Sequence, residues 1–313
     1  MKKIFLLVFG FLFSASCTHA QLIYQNLLVQ YDSAWTYKSL QLIPVKFRND
    51  ADFMWRASFP KEIISLEEGL RTGKVQIKEM NFNRDADVDV LSIKNLTKKN
   101  ILVTAGEVLT GGKQDRVVSE TMIIPPGKDE TYLNVYCVEK GRWDKKAKPF
   151  YHQGIVNMPL RKKIDIVHRQ TEVWREIEQQ FANQNKKTDN WPYVDLYRDK
   201  KENDSVYLNY FLNKLQRTDS VYAGFIVIAG KRIIGAEIFA TPEYLLNHYQ
   251  SMLISFIHSV LPDDKEPNVP HADIKIFSDA LLQSEKSQNE FLATHGKADR
   301  YLNKTIHLIA YAD

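Results

Sequence analysis

Apolar and polar positions alternate along much of the first half of the chain, and apolar residues recur at helical spacing along much of the second. Leu40 to Phe47 alternates over eight residues, and Pro44 within it marks an edge strand or a bulge, because proline has no N–H to give to a ladder. Ser65-Leu66-Glu67-Glu68 is a capping-box pattern, so a short helix is predicted over 66–72, with Gly73 as its stop. Strand-like runs follow at Val75 to Glu79, Val88 to Lys94, Ile101 to Thr104, Val117 to Ile124 and Tyr132 to Glu139. That spacing suits an antiparallel system.

The period then changes. Ile166, Val173, Trp174, Ile177 and Phe181 predict one amphipathic helix over Arg161 to Phe181. Residues 183–204 are polar and read as a long loop, followed by a helix marked by Val206, Tyr207, Tyr210, Phe211 and Leu215. Two strands, Val221 to Ala229 and Arg232 to Phe239, turn at Gly230. Thr241-Pro242-Glu243 supplies a cap, a first-turn proline and a first-turn acid for a helix carrying Leu245, Tyr249, Met252, Phe256 and Val260 on one face. A short helix near 273–283 and closing strands, the last over Thr305 to Ala312, complete the pattern. Sheets before helices, with no internal repeat, argue α+β over α/β. The expected architecture has mainly antiparallel, sandwich-like sheets in the first half and amphipathic helices with further strands in the second. Residues 21–313 are read as one domain.

The first twenty residues stand outside this pattern. Lys2 and Lys3 precede an apolar run from Ile4 to Phe13, and Thr18-His19-Ala20 ends a small, polar stretch. This is the layout of a secretory signal peptide, too short to span a bilayer. Cleavage after Ala20 is favoured, and a lipid anchor at Cys17 is the alternative. Either outcome leaves a chain exported to the periplasm, cell envelope or exterior. Only two cysteines, Cys17 and Cys137, exclude a disulfide scaffold, and a net charge of +4 is too small to point to a nucleic-acid partner. The eight histidines show no metal-binding spacing, so no metal and no cofactor are expected.

Candidate chemistry concentrates in two segments. In Gly106 to Arg116, glycines at 106, 111 and 112 are followed by Lys113, Gln114, Asp115 and Arg116. Glycine permits tight turns and close approach of a ligand, but the run lacks the Lys-Ser/Thr of a phosphate loop. The second segment, Cys137-Val138-Glu139-Lys140-Gly141-Arg142-Trp143, closes a strand. Glu139 lies on the same strand face as Cys137 and disfavours its thiolate, so the cysteine reads as a buried apolar residue rather than a nucleophile. Residues 140–163 hold eight basic side chains against one acid, Asp144. Most of these lysines read as a solvated loop, whereas Arg142 and Arg161 can grip phosphate or carboxylate with a planar fork.

Together the Gly106–Val118 and Val135–Trp143 runs resemble the ADP-ribosylglycohydrolase- and rhodanese-phosphatase-associated protein domain family. Ser65-Leu66-Glu67-Glu68-Gly69-Leu70 upstream, and Ala223-Gly224-Phe225, Ile238-Phe239 and Thr241-Pro242-Glu243 downstream, extend the resemblance over about residues 40–312. The resemblance implies a ligand of nucleotide-derived type, by association alone. Three functions follow in order. The first is binding of a small anionic ligand by Glu107, Lys113, Gln114, Asp115, Arg116, Glu139, Arg142 and Trp143. The second is hydrolysis of a phosphate or glycosidic bond with Glu107 or Glu139 as general base. The third is an envelope interaction module in which the two segments are architectural. No catalytic residue is assigned by the sequence.

Overall fold

The computed structural model describes residues 22–48, 59–82, 85–127, 129–216 and 221–312. The signal-peptide reading, Ala20 and Cys17 lie outside the described residues. The strands, in chain order, are β1 (Leu27–Val29), β2 (Trp35–Tyr37), β3 (Leu40–Phe47), β4 (Ile63–Ser65), β5 (Val75–Phe82), β6 (Asp85–Asn95), β7 (Asn100–Val103) and β8 (Glu107–Gly112). They continue with β9 (Arg116–Val118), β10 (Met122–Ile124), β11 (Thr131–Cys137), β12 (Lys148–Ile155), β13 (Tyr222–Ala229), β14 (Arg232–Phe239), β15 (Gly296–Tyr301) and β16 (Lys304–Tyr311). The α-helices are α1 (Leu66–Arg71), α2 (Met158–Lys162), α3 (Gln170–Asn183), α4 (Lys201–Gln216), α5 (Pro242–Ile257), α6 (His271–Leu282) and α7 (Glu285–His295). The fold is α+β, with antiparallel sheets mainly in the first half and helices mainly in the second.

Three sheets result. One runs β1-β3-β13-β14-β16-β15, with β2 also paired to β3; a second runs β10-β7-β4; a third runs β12-β8-β9-β11-β6-β5. The first is built from both ends of the chain. Its core is formed by fully apolar β13 and by α5, which buries Leu245, Tyr249, Met252 and Phe256 against it. Pro44 lies within this sheet, opposite Phe225 of β13. On its other flank β3 pairs with β2 through residues 40–42 and with β1 through residues 45–47. Pro44 falls at that change of partner, which is where a residue without an N–H is tolerated.

Local signals account for several elements. Ser65 caps α1 by accepting from the Glu68 N–H at 3.2 Å, and Thr241 caps α5 by accepting from the Tyr244 N–H at 3.2 Å. Asn95 is buried, and its amide donates to the Lys99 and Ile124 carbonyls, tying the β6–β7 turn to β10.

Four expectations are corrected. The run from Val117 to Ile124 is two strands in different sheets, β9 and β10. The helix over 161–181 is instead α2, a π-helical turn over Lys163–Val167, and α3. His168 separates the last two with a left-handed φ of 52°. The 183–204 stretch contains short 3-10 turns at Tyr193–Leu196 and Arg198–Lys200 and the start of α4. Residues 148–155 form β12 rather than part of a solvated loop. No helix among the described residues is long and apolar enough to cross a membrane.

Candidate functional site

The two polar segments meet at one end of the third sheet. β11 pairs with β9 so that Cys137 lies opposite Arg116, and β9 pairs with β8 so that Arg116 lies opposite Leu109. Seven of the eight candidate residues gather here, and they bind one another. Arg142 is the hub. Its guanidinium donates to Glu139, to Asp115 at 2.6 Å and to Asp144 at 2.8 Å, and reaches the Gly111 carbonyl at 3.2 Å. The Gly111 N–H closes the loop by donating to Asp115 at 2.9 Å.

Arg116, fully buried, donates to the Gln114 side-chain oxygen Oε1 at 2.8 Å and lies 3.7 Å from Glu79. The Gln114 amide in turn donates to the Glu139 carbonyl. Trp143 covers this cluster, with the Lys113 ammonium 5.1 Å and the Arg116 guanidinium 5.9 Å from its ring centre. Four cations, Lys113, Arg116, Arg142 and Lys148 (the last 2.8 Å from Asp144), therefore face four carboxylates from Glu79, Asp115, Glu139 and Asp144. Burial pushes the Asp115 carboxyl up from its ordinary value, against the pull of the Gly111 N–H and Arg142. Burial would lower the Arg142 pKa, but the bond to Glu139 and the field of Asp115 outweigh it and raise it.

The glycines serve this lock. Gly111 and Gly112 have φ of 123° and 53°, and a Cβ would lie 2.1 Å from the Pro149 carbonyl oxygen at the first and 2.3 Å from the Phe150 ring at the second. β12, not a ligand, makes the close approach. Cys137 is buried, and burial raises its thiol pKa, as expected for an apolar role.

Glu107 stands apart. Its carboxylate accepts from the Thr104 hydroxyl at 3.0 Å and lies 3.6 Å from His248 and 3.7 Å from His152. Burial alone would raise its pKa. The bond to His248 and the fields of His152 and His248 outweigh burial and hold it below the ordinary value. A general base at neutral pH needs the opposite shift. Glu139 is engaged by the Arg142 guanidinium.

Arg161 is not an open anion fork. It is fully buried and donates to Glu237 at 2.8 Å. His307 bridges that carboxylate, at 2.9 Å, to Asp299, also at 2.9 Å. Asp165 lies 3.8 Å from Arg161 and accepts from the Tyr311 hydroxyl. This charged seam went unread in the sequence, although Glu237 and His307 are each flanked by apolar residues within a strand. Among the described residues, no group of three or more His, Cys, Asp or Glu could hold a metal ion.

Open concave surface lies elsewhere. A cleft of about 840 Å³ is bounded by Lys38 and Ser39 of the β2–β3 turn, Tyr207 of α4, and Leu261 and Lys265 after α5. A second, of about 490 Å³, is walled by Val108, Ile155, Tyr193, Tyr197, Leu208 and Ile254. Asp204 and His258 line both. His258 Nε2 lies 2.8 Å from the Asp204 carboxylate, and its ring stacks face to face on Tyr197 at 3.6 Å. Burial, aided by Lys200 and opposed by Asp204, lowers the His258 pKa. A third groove, of about 670 Å³, runs between α1, β5 and β12 past His152. None of the eight candidate residues lines these three clefts; β8 reaches the second through Val108 and Thr110 instead. Asp204 and His258 were missed because one sat in an apparent loop and the other at a helix end. The tyrosines at 193 and 197 within that loop were the available signal.

A family model for the ARG and Rhodanese-Phosphatase-superfamily-associated Protein domain, ARPP-1, matches residues 28–310, and the chain belongs to this family. No curated protein and no solved structure matches it.

Proposed function

We propose that this ARPP-1 member is an exported small-ligand-binding domain whose ligand occupies the paired clefts around Asp204 and His258. The observation that carries the reading is the shared partition: one oriented Asp–His pair, stacked on a tyrosine, between two concave surfaces. Binding pockets are commonly ~300–1,000 Å³, with apolar and aromatic walls and a few placed polar groups. The smaller cleft has that make-up. Arg198 and Lys201 line the smaller cleft, and Lys38, Lys200 and Lys265 line the larger one, where Asp264 and Glu266 also sit, so lysines stand beside both clefts to meet a small anion. A ring-bearing anion of nucleotide-derived type fits an apolar, tyrosine-lined slot beside those lysines, and the family's association points to the same class.

Thermal shift of the chain from residue 21 against nucleoside phosphates, ADP-ribose, sugar phosphates and inorganic phosphate tests this. A ligand at 100 times its dissociation constant adds about 2.7 kcal/mol. Ile254→Trp, which fills the smaller cleft, and Lys201→Ala are expected to remove or weaken that shift. A shift equally large in both variants places the ligand elsewhere and ends the proposal.

The self-neutralised Arg142 cluster favours a second reading, an envelope interaction module without a small ligand. Its sign would be stable capture of a partner protein, with no ligand in the panel altering stability.

A further inference from the structure

A sheet edge that ends inside a groove offers unpaired peptide groups to whatever enters. The third sheet ends on one side at β5, whose ladder partner among the described residues is β6 alone. The Leu96 N–H donates to the Lys74 carbonyl, and hydrogen-bonded pairs in an antiparallel ladder recur at every second residue. Gln76, opposite Lys94, and Lys78, opposite Ser92, therefore turn their peptide groups toward β6, and Ile77 between them turns its own outward. No hydrogen bond from another described residue meets the outward groups of Ile77.

That edge opens into the groove of about 670 Å³. Ile77 and Lys78 line it from β5, Phe150 and Tyr151 from β12, and Leu70 and Arg71 from α1. Its floor is apolar, because Leu70, Ile77 and the buried Phe150 pack on one core. Tyr151 stands on the far wall, 60% exposed. One end of the seam is shut, where the Glu79 carboxylate accepts from the Lys113 N–H at 2.7 Å. β12 is the poorer receiving edge, since Pro149 has no N–H to give and bulges interrupt its ladder with β8.

The charge of the groove selects what enters. Arg71 and Lys78 are exposed, and neither makes an ion pair with a described residue. Glu67, the acid of the lining, sits 3.9 Å from His152. A second copy of this chain pairing through its own β5 would bring the same cations to the edge and leave them uncompensated. We propose that the β5 edge receives an extended, acidic segment of a partner protein, which joins the third sheet as a further strand. Main-chain bonds to Ile77 hold the segment, its apolar side chains lie on Leu70 and Phe150, and its carboxylates meet Lys78 and Arg71. No residue lining this groove lines either paired cleft, so a ligand there neither supports nor excludes a strand here.

The test is amide hydrogen exchange, read by NMR on the nitrogen-labelled chain from residue 21, with an acetylated and amidated hexapeptide of alternating glutamate and valine. In the free chain the Ile77 N–H is expected to exchange far faster than the Leu91 N–H of β6, which lies between two strands. Peptide at about ten times its dissociation constant is expected to slow Ile77 exchange about tenfold and to shift the Tyr151 resonances. Lys78→Glu, at an exposed position, is expected to weaken this peptide roughly three- to tenfold and to favour its lysine–valine counterpart. A version N-methylated at every residue has no N–H to give and is expected not to bind. An Ile77 N–H already protected in the free chain overturns the proposal. So does an N-methylated peptide that binds as tightly as its parent, or a Lys78→Glu variant that binds both peptides as the unaltered chain does. Millimolar glutamate–valine peptide that perturbs none of Ile77, Lys78 and Tyr151 overturns it as well.

Discussion

Replacing Arg161 with methionine removes the cation from a fully buried ion pair and leaves Glu237 with His307 alone. Both partners are wholly inaccessible, and the Arg161–Glu237 contact is 2.8 Å. Breaking a buried pair by deleting one member costs about 3–5 kcal/mol, because the survivor stays charged and desolvated. Against a total stability of roughly 5–15 kcal/mol, that is a large fraction. At about 2–4 °C per kcal/mol, the expected fall in Tm is ~6–20 °C.

Glu237→Leu alone should cost a similar amount by stranding Arg161. The double variant, Arg161→Met with Glu237→Leu, buries no unpaired charge from this pair and should be more stable than either single variant. Urea unfolding of the four proteins gives the cycle. If the two single losses simply add in the double variant, the seam is not a coupled pair and the reasoning is wrong. The pH dependence has two limbs. Arg161 and His307 hold Glu237 down to about 2 against the burial that would raise it. Its contribution, on the order of 3 kcal/mol, is present above pH ~4.5 and is lost as pH falls from there toward 2. His307 is raised, with burial outweighed by Asp299 and Glu237. Its contribution is complete below pH ~6.5 and is lost as pH rises through the higher folded value.

Three further outcomes follow from packing. Arg142→Met strands Asp115 and Glu139 at the sheet end and should lower urea stability by about 1–3 kcal/mol; an unchanged midpoint would mean the cluster is decorative. Gly112→Ala forces a Cβ onto the Phe150 ring in a left-handed backbone and should destabilise by ~1–3 kcal/mol, measurable as a drop in Tm. Cys137 should react with a thiol-specific disulfide reagent far more slowly in the folded chain than in urea, and equal rates would contradict its burial.

The legible parts of the fold were those written locally. The Ser65 half of its capping box, the Thr241-Pro242-Glu243 start and the turn at Gly230 each need only a few adjacent residues, and each forms. The break at His168 was hidden because apolar periodicity continues across it from Ile164 to Val173. Pairing β9 with β11 gathers the Lys113–Arg116 and Glu139–Trp143 runs at one place, as the spacing suggested. Their mutual neutralisation depended on Glu79, from a strand that nothing in either motif announces. The clefts were illegible for the same reason: Val108, the Tyr197–Asp204 stretch and His258 are far apart in sequence and meet only once the three-dimensional arrangement is made.

The first sheet takes β1 to β3 from one end of the chain and β13 to β16 from the other, with the remaining two sheets inserted between them. Strand β3, an apolar segment, therefore has no permanent neighbour on its β13 flank until residues 222–229 have been synthesised, and β14 waits for β16, ending at Tyr311. Such long-range pairing is slow and leaves sticky edges open meanwhile. During vectorial synthesis the two inserted sheets, whose strands all lie between residues 63 and 155, can pair before the first sheet is completed by its last strand, Lys304–Tyr311.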